Sequence, residues 1–134
     1  MKVWVNGCFD ILHVGHIKLL QYAKSLGKVL VVGIDSDERV RKNKGGDRPF
    51  NTLEDRKCVL ESIRYVDQVV TYNDDQELEA HISNIGPDYL VIGSDWKNKH
   101  VVGAQFTKKV CFFDRMGNYS TTNILNGEKN ENFC

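Results

Sequence analysis

The chain has 134 residues, 41% hydrophobic and 27% charged, and its 18 Lys+Arg balance 18 Asp+Glu to a formal net charge of zero. That length and composition suit one domain with one real core and exclude a disordered chain, which joins low hydrophobicity to high net charge. The neutral balance also argues against a nucleic-acid binder, which carries a basic excess, so an anionic ligand must be held by a local site.

Residues 2–7 (KVWVNG) read as a first strand. Residues 15–26 place Ile17, Leu19, Leu20, Ala23 and Leu26 at helical spacing, with Gly27 positioned to end the helix. Residues 29–34 (VLVVGI) are almost continuously apolar, as in a strand buried on both faces. Residues 35–51 are polar, with five Lys/Arg and Gly45-Gly46, and read as a long functional loop with room for a short helix. Thr52-Leu53-Glu54-Asp55 resembles a capping box that opens a helix to about residue 63. A third strand is expected over 68–72, a third helix over 75–84, a fourth strand over 89–92 after Pro87-Asp88, and a fifth over 110–113. A short helix over 120–125 closes the domain, residues 1–125, and residues 126–134 form a polar tail expected to fray.

Apolar strands separated by helices imply an α/β, three-layer, Rossmann-like fold: a five-stranded parallel sheet with helices on both faces. Such sheets bind ligands beyond the carboxyl ends of the strands, at the switch point of strand order. No run approaches the ~20 apolar residues of a membrane helix, and Asp10, His13 and His16 break up any signal-peptide core. Cys8, Cys58, Cys111 and Cys134 are scattered, with no CxxC pair, as reduced thiols are. The expected setting is the cytoplasm, away from membranes.

The segment after the first strand, Gly7-Cys8-Phe9-Asp10-Ile11-Leu12-His13-Val14-Gly15-His16, places two imidazoles around a glycine where a helix begins. A helix N-terminus suits an anion such as a triphosphate. Gly15 would admit a phosphate close to the backbone, and His13 and His16 would donate to a phosphoryl group under attack. Packing or capping histidines, or a zinc site with Cys8, are the competing readings, the latter lacking a fourth ligand and the usual spacing. Neither GxxxxGK[ST] nor GxGxxG follows the first strand, which disfavours P-loop and NAD-type sites.

GCFDILHVGH resembles the signature of the HxGH nucleotidyltransferases, the cytidylyltransferase-like superfamily that includes glycerol-3-phosphate cytidylyltransferase and the adenylyltransferase domain of ADP-heptose synthase. The likeness runs from Val3 to about Leu125, through Lys44-Gly45, Arg48-Pro49, Arg56, Arg64-Tyr65-Val66-Asp67, Gly93-Ser94-Asp95-Trp96 and Ser120-Thr121-Thr122-Asn123-Ile124. GCFDILH, Lys44-Gly45 and STTNI are similar to the heptose enzymes; His16-Ile17-Lys18-Leu19-Leu20 and Asp95-Trp96 are similar to the glycerol-3-phosphate enzymes.

The resemblance implies transfer of NMP from ATP or CTP to a phosphorylated sugar or polyol, with release of pyrophosphate. His13, His16, Lys44 and Arg115 would stabilise the phosphates during transfer. Gly7, Cys8, Phe9, Gly15, Gly93, Asp95, Trp96, Ser120 and Thr121 would hold the nucleotide with His16. Asp10, Lys44 and Arg56 would meet the acceptor. Arg39, Arg41 and Lys42 read as a solvated loop face. Because two polyanions must approach, Mg²⁺ is expected, held by phosphates and water and not by protein ligands. The resemblance also implies a homodimer. The competing functional class is a nucleotide-binding sensor or adaptor without catalysis, and intact HxGH, Lys44 and STT segments speak against it.

Overall fold

Side-chain alternation along the strands sets the layers. In the computed structural model, which describes residues 1–114, the first strand β1 (Lys2–Gly7) sends Val3 and Val5 into one apolar cluster and Trp4 into another. The second, β2 (Val29–Asp35), repeats the division with Leu30, Val32 and Ile34 against Val31. Helix α1 (Val14–Ser25) covers the first face with Leu19, Leu20 and Ala23, joined by Leu60 of α3 (Leu53–Glu61). Helix α4 (Asp75–Ile85) covers the opposite face with Leu78 and Ile82, which pack with Val101. Both faces are closed, so the two central strands carry unbroken apolar runs, Val3–Val5 and Val29–Val32.

The remaining strands are β3 (Gln68–Tyr72), β4 (Tyr89–Gly93) and β5 (Lys109–Phe113), and the sheet runs β3-β2-β1-β4-β5, parallel throughout. The fold class expected from sequence is therefore the one observed. The switch point of strand order lies between β1 and β4, where Val5 pairs with Val91, and the chain crosses it on the way from β3 through α4 to β4. At the same end Gly7 pairs with Ile34, and Asp35 pairs with Tyr72.

Most boundaries fall within a residue or two of those expected. The clearest difference is α2 (Asp37–Lys44), eight residues inside the segment read mainly as a loop. Ser36 caps it by accepting from the Arg39 N–H at 3.1 Å. Asp37 and Glu38 fill its first turn and Arg41, Lys42 and Lys44 its last, both favourable to the helix dipole. Only Val40 is buried, against Cys8, so α2 sits over the strand ends instead of on a sheet face. No helix among the described residues is long and apolar enough to cross a membrane. The helix expected over 120–125, the tail, and the site candidates Arg115, Ser120 and Thr121 lie outside the described residues.

Candidate active site

Beyond the strand ends lies a cavity of about 250 Å³, walled by Gly7, Cys8, Phe9, His16, Lys44, Gly93 and Trp96 among others. Seven residues expected at the site thus meet at one place, drawn from β1, α1, α2 and the far side of the switch point. The volume lies just below the ~300–1,000 Å³ usual for ligand pockets. Phe9 turns the chain out of β1 with φ of 50°, a left-handed conformation that a bulky residue seldom adopts. Its ring is 3% exposed and lies 5.5 Å from the ring of His16. Burial of that ring offsets the local strain.

The two histidines cap α1, and of the pair it is His16 that lines the cavity. His13 Nδ1 accepts from the Gly15 N–H at 3.0 Å, and His16 Nδ1 accepts from the His13 N–H at 3.3 Å. Capping and phosphate binding, weighed as alternatives in the sequence, are thus compatible, because each uses a different ring nitrogen. With Nδ1 accepting, the neutral ring carries its proton on Nε2. Burial lowers the pKa of His16 to about 3, helped by the neighbouring His13, and burial lowers that of His13 as well. The ring centroids are 4.0 Å apart, too close for two charged imidazoles. The pair therefore stands as two neutral Nε2–H donors at neutral pH. The N–H groups of Gly15 and His16 are consumed within the cap, by His13 Nδ1 and the His13 carbonyl. Directed donors at this helix start are accordingly imidazoles and not the backbone groups expected there.

Neither Asp10 nor Arg56 is among the residues lining the cavity. Asp10 is buried and accepts from the Phe50 and Asn51 N–H groups at 2.6 and 2.8 Å, with Arg48 Nε 3.8 Å away. Arg56 is 1% exposed and donates to the carbonyls of Cys8, Asp35 and Asn51 and to Asp37 Oδ1 at 2.7 Å. Together they fasten the segment that follows α2 to the turn carrying the histidines. Lys44, half-buried at the end of α2, makes no ion pair among the described residues, so its ammonium can meet a ligand phosphate. Trp96 is 46% exposed at the rim, with Lys99 Nζ 5.8 Å from its ring. Asp95 is exposed in the same turn.

A polar wall lies on the β2–β3 side of the cavity, formed by Asn6, Asp35, Arg39 and Tyr72. Sequence reasoning did not assign these residues to the site, and read Arg39 as solvated. The available signal was position: Asn6, Asp35 and Tyr72 are polar residues at or beside the carboxyl ends of three apolar strands. Among the described residues no three His, Cys, Asp or Glu side chains are grouped to hold a metal.

A sequence profile described as Cytidylyltransferase-like matches residues 4–126. The chain is 48% identical over 123 residues to the bifunctional protein HldE of Campylobacter concisus, a match covering 92% of this chain and 26% of that protein. It is 42% identical over 132 residues to the protein of the same name from Helicobacter hepaticus, covering 98% and 27% respectively. The chain thus spans about a quarter of the length of these relatives. Among solved structures it is similar to a lipopolysaccharide core biosynthesis protein from Thermoplasma volcanium (TM-score 0.73, 25% identity, 87% of this chain and 98% of that one). A protein of unknown function from Archaeoglobus fulgidus, 20% identical with a TM-score of 0.64 over 87% and 90% of the two chains, shares the fold. The profile match, the relatives and the histidine pair at the switch point agree: this chain belongs to the cytidylyltransferase-like family of nucleotidyltransferases.

Proposed function

We propose that the chain transfers NMP from a nucleoside triphosphate to a phosphorylated sugar or polyol and releases pyrophosphate. The observation that carries this reading is the pair of neutral imidazoles with fixed tautomers, set at the switch point beside a cavity that Lys44 also lines. An acceptor phosphate oxygen attacks the α-phosphorus, a new P–O bond forms, and the bond to the bridging oxygen of pyrophosphate breaks. The nucleophile is already an anion, so no base is needed; positioning and charge stabilisation do the chemistry.

His13 and His16 donate to the α- and β-phosphate oxygens as negative charge shifts to the leaving group, and Lys44 neutralises phosphate beside them. Gly93 and Trp96, which line the cavity, and Asp95 between them are the proposed nucleotide contacts on the far side of the switch point. Arg115, Ser120 and Thr121 are proposed phosphate ligands on the strength of the family resemblance. Mg²⁺ would supply further charge neutralisation, arriving with the triphosphate and held by phosphates and water. The heptose-type acceptor and ATP are favoured by the likeness to HldE, the ADP-heptose synthase whose adenylyltransferase domain the sequence resembles. The same resemblance supports a homodimer, for which light scattering should return twice the 15.3 kDa chain mass, and the scattered cysteines suit a cytoplasmic setting.

Pyrophosphate release, measured with ATP or CTP, Mg²⁺ and a panel of phosphorylated acceptors, tests the reaction. One triphosphate–acceptor pair should turn over, and His13→Ala or His16→Ala should lower kcat by about 10²–10³-fold with a smaller effect on KM. Nucleotide binding without release, for every acceptor tried, would instead leave a sensor or adaptor.

A further inference from the structure

One wall of the cavity is a hydrogen-bonded chain that the reaction as described does not use. Trp4 Nε1–H donates to Asn6 Oδ1 at 2.8 Å, which fixes the amide so that Asn6 Nδ2 faces the Tyr72 hydroxyl at 3.4 Å. Asp35, paired with Tyr72 in the register of β2 and β3, lines the cavity beside it. Arg39 Nε lies 3.5 Å from Asp35 Oδ1, and its Nη2 donates to Asp75 at 2.7 Å. Gly33 makes room for this arrangement, since a Cβ there would sit 2.5 Å from the Trp4 ring and 3.1 Å from that of Tyr72.

Burial and the negative charge of Asp35 hold the Tyr72 pKa well above its ordinary value, so the phenol stays a neutral donor and Asp35 an acceptor. A carboxylate has about four lone-pair sites and an amide nitrogen two protons. Beyond the contact with Arg39, Asp35 keeps acceptor capacity, and beyond the bond to Tyr72, Asn6 keeps one N–H; both residues line the cavity. A donor beside an acceptor matches hydroxyl groups, which both give and take hydrogen bonds. A cationic amino-alcohol would need an open aromatic face or an unneutralised carboxylate. On this wall neither is offered: Arg39 lies 5.2 Å from the Tyr72 ring centroid and balances Asp35.

We propose that Asn6 and Asp35, set by Trp4, Tyr72 and Arg39, read the hydroxyl groups of the acceptor and restrict it to phosphates of polyhydroxylated compounds without a cationic group. This rests on the transferase reading for the role of the ligand as acceptor, but the recognition itself is a binding property.

Calorimetric titration of the whole chain with heptose 1-phosphate, mannose 1-phosphate, its monodeoxy analogues, glycerol 3-phosphate and phosphocholine tests it apart from turnover. A sugar phosphate should bind at least tenfold more tightly than phosphocholine. Removal of one particular hydroxyl should weaken binding by about 10–100-fold, the range for hydrogen bonds to charged groups. In Asn6→Ala or Asp35→Asn, with folding checked by circular dichroism, that hydroxyl should lose most of its effect while the affinity for ATP or CTP is unchanged. The deoxy series on the unaltered chain gives the answer even if a variant does not fold. Preference for phosphocholine, no binding of any hydroxylated phosphate, or deoxy penalties below about twofold would overturn the proposal. Failure of pyrophosphate release with sugar-phosphate binding intact would refute the transferase reading alone.

Discussion

His16 carries a measurable consequence of its burial. Its ring is 1% exposed and its folded-state pKa is lowered to about 3 from 6.5. Between those values the unfolded chain binds a proton that the folded chain refuses, so stability rises with pH across the interval. The contribution is complete above about pH 6.5 and is lost progressively as pH falls toward 3, with a slope of at most about 1.4 kcal/mol per pH unit. Urea unfolding at several pH values between roughly 4.5 and 7 should show this slope, and His16→Asn should flatten it. An unchanged slope in the variant would assign the pH dependence to other groups. The sequence made the histidine pair legible as a site because two imidazoles around a glycine are improbable at a helix start. It could not supply the tautomers. Those follow from which N–H each Nδ1 meets, and that is decided only when Gly15 and His13 take their places in the cap.

Helix α3 shows how an element can read as functional and serve as a brace. Arg56 and Leu60 are spaced four residues apart and are both buried, which puts the arginine on the core face of the helix. That spacing was the signal that Arg56 points inward, outweighed in the sequence by its match to a family position. The guanidinium ties α3 to the ends of β1 and β2 through Cys8 and Asp35, and to the first turn of α2 through Asp37. Arg56→Met should keep the aliphatic stem but strand three carbonyls and Asp37, destabilising the fold by about 3–5 kcal/mol. A loss below about 1 kcal/mol in urea unfolding would mean that these bonds are replaceable by water. Helix α2 was the element least legible in advance. Of its eight residues only Val40 is buried, so no apolar periodicity marks it, and its stability comes from the Ser36 cap and from charge placement. Strands 29–35 and 89–93 were legible for the opposite reason, as burial on both faces leaves a continuous apolar run.

At the scale of the molecule, parallel pairing and two-sided helix cover follow from the order of strand and helix patterns, but strand order does not. The arrangement β3-β2-β1-β4-β5 depends on which strands meet after the crossovers, and it is this that brings Gly93 and Trp96 to face Gly7 and His16 across the switch point. A nucleotide seated there touches both halves of the sheet, so its binding free energy is linked to unfolding of the whole and not to one loop. At a nucleotide concentration of 100 times Kd, linkage adds about 2.7 kcal/mol, which in a domain of this size raises Tm by about 10 °C. Thermal unfolding with Mg²⁺ and either ATP or CTP should therefore show a large, saturable shift with one of the two. Lys44→Ala should reduce it, because that ammonium is proposed to meet phosphate and has no ion pair among the described residues whose loss would lower Tm by itself. Equal shifts with ATP and CTP would place recognition in the triphosphate and leave the base unread. The absence of any shift with either, up to millimolar nucleotide, would remove the cavity as the nucleotide site.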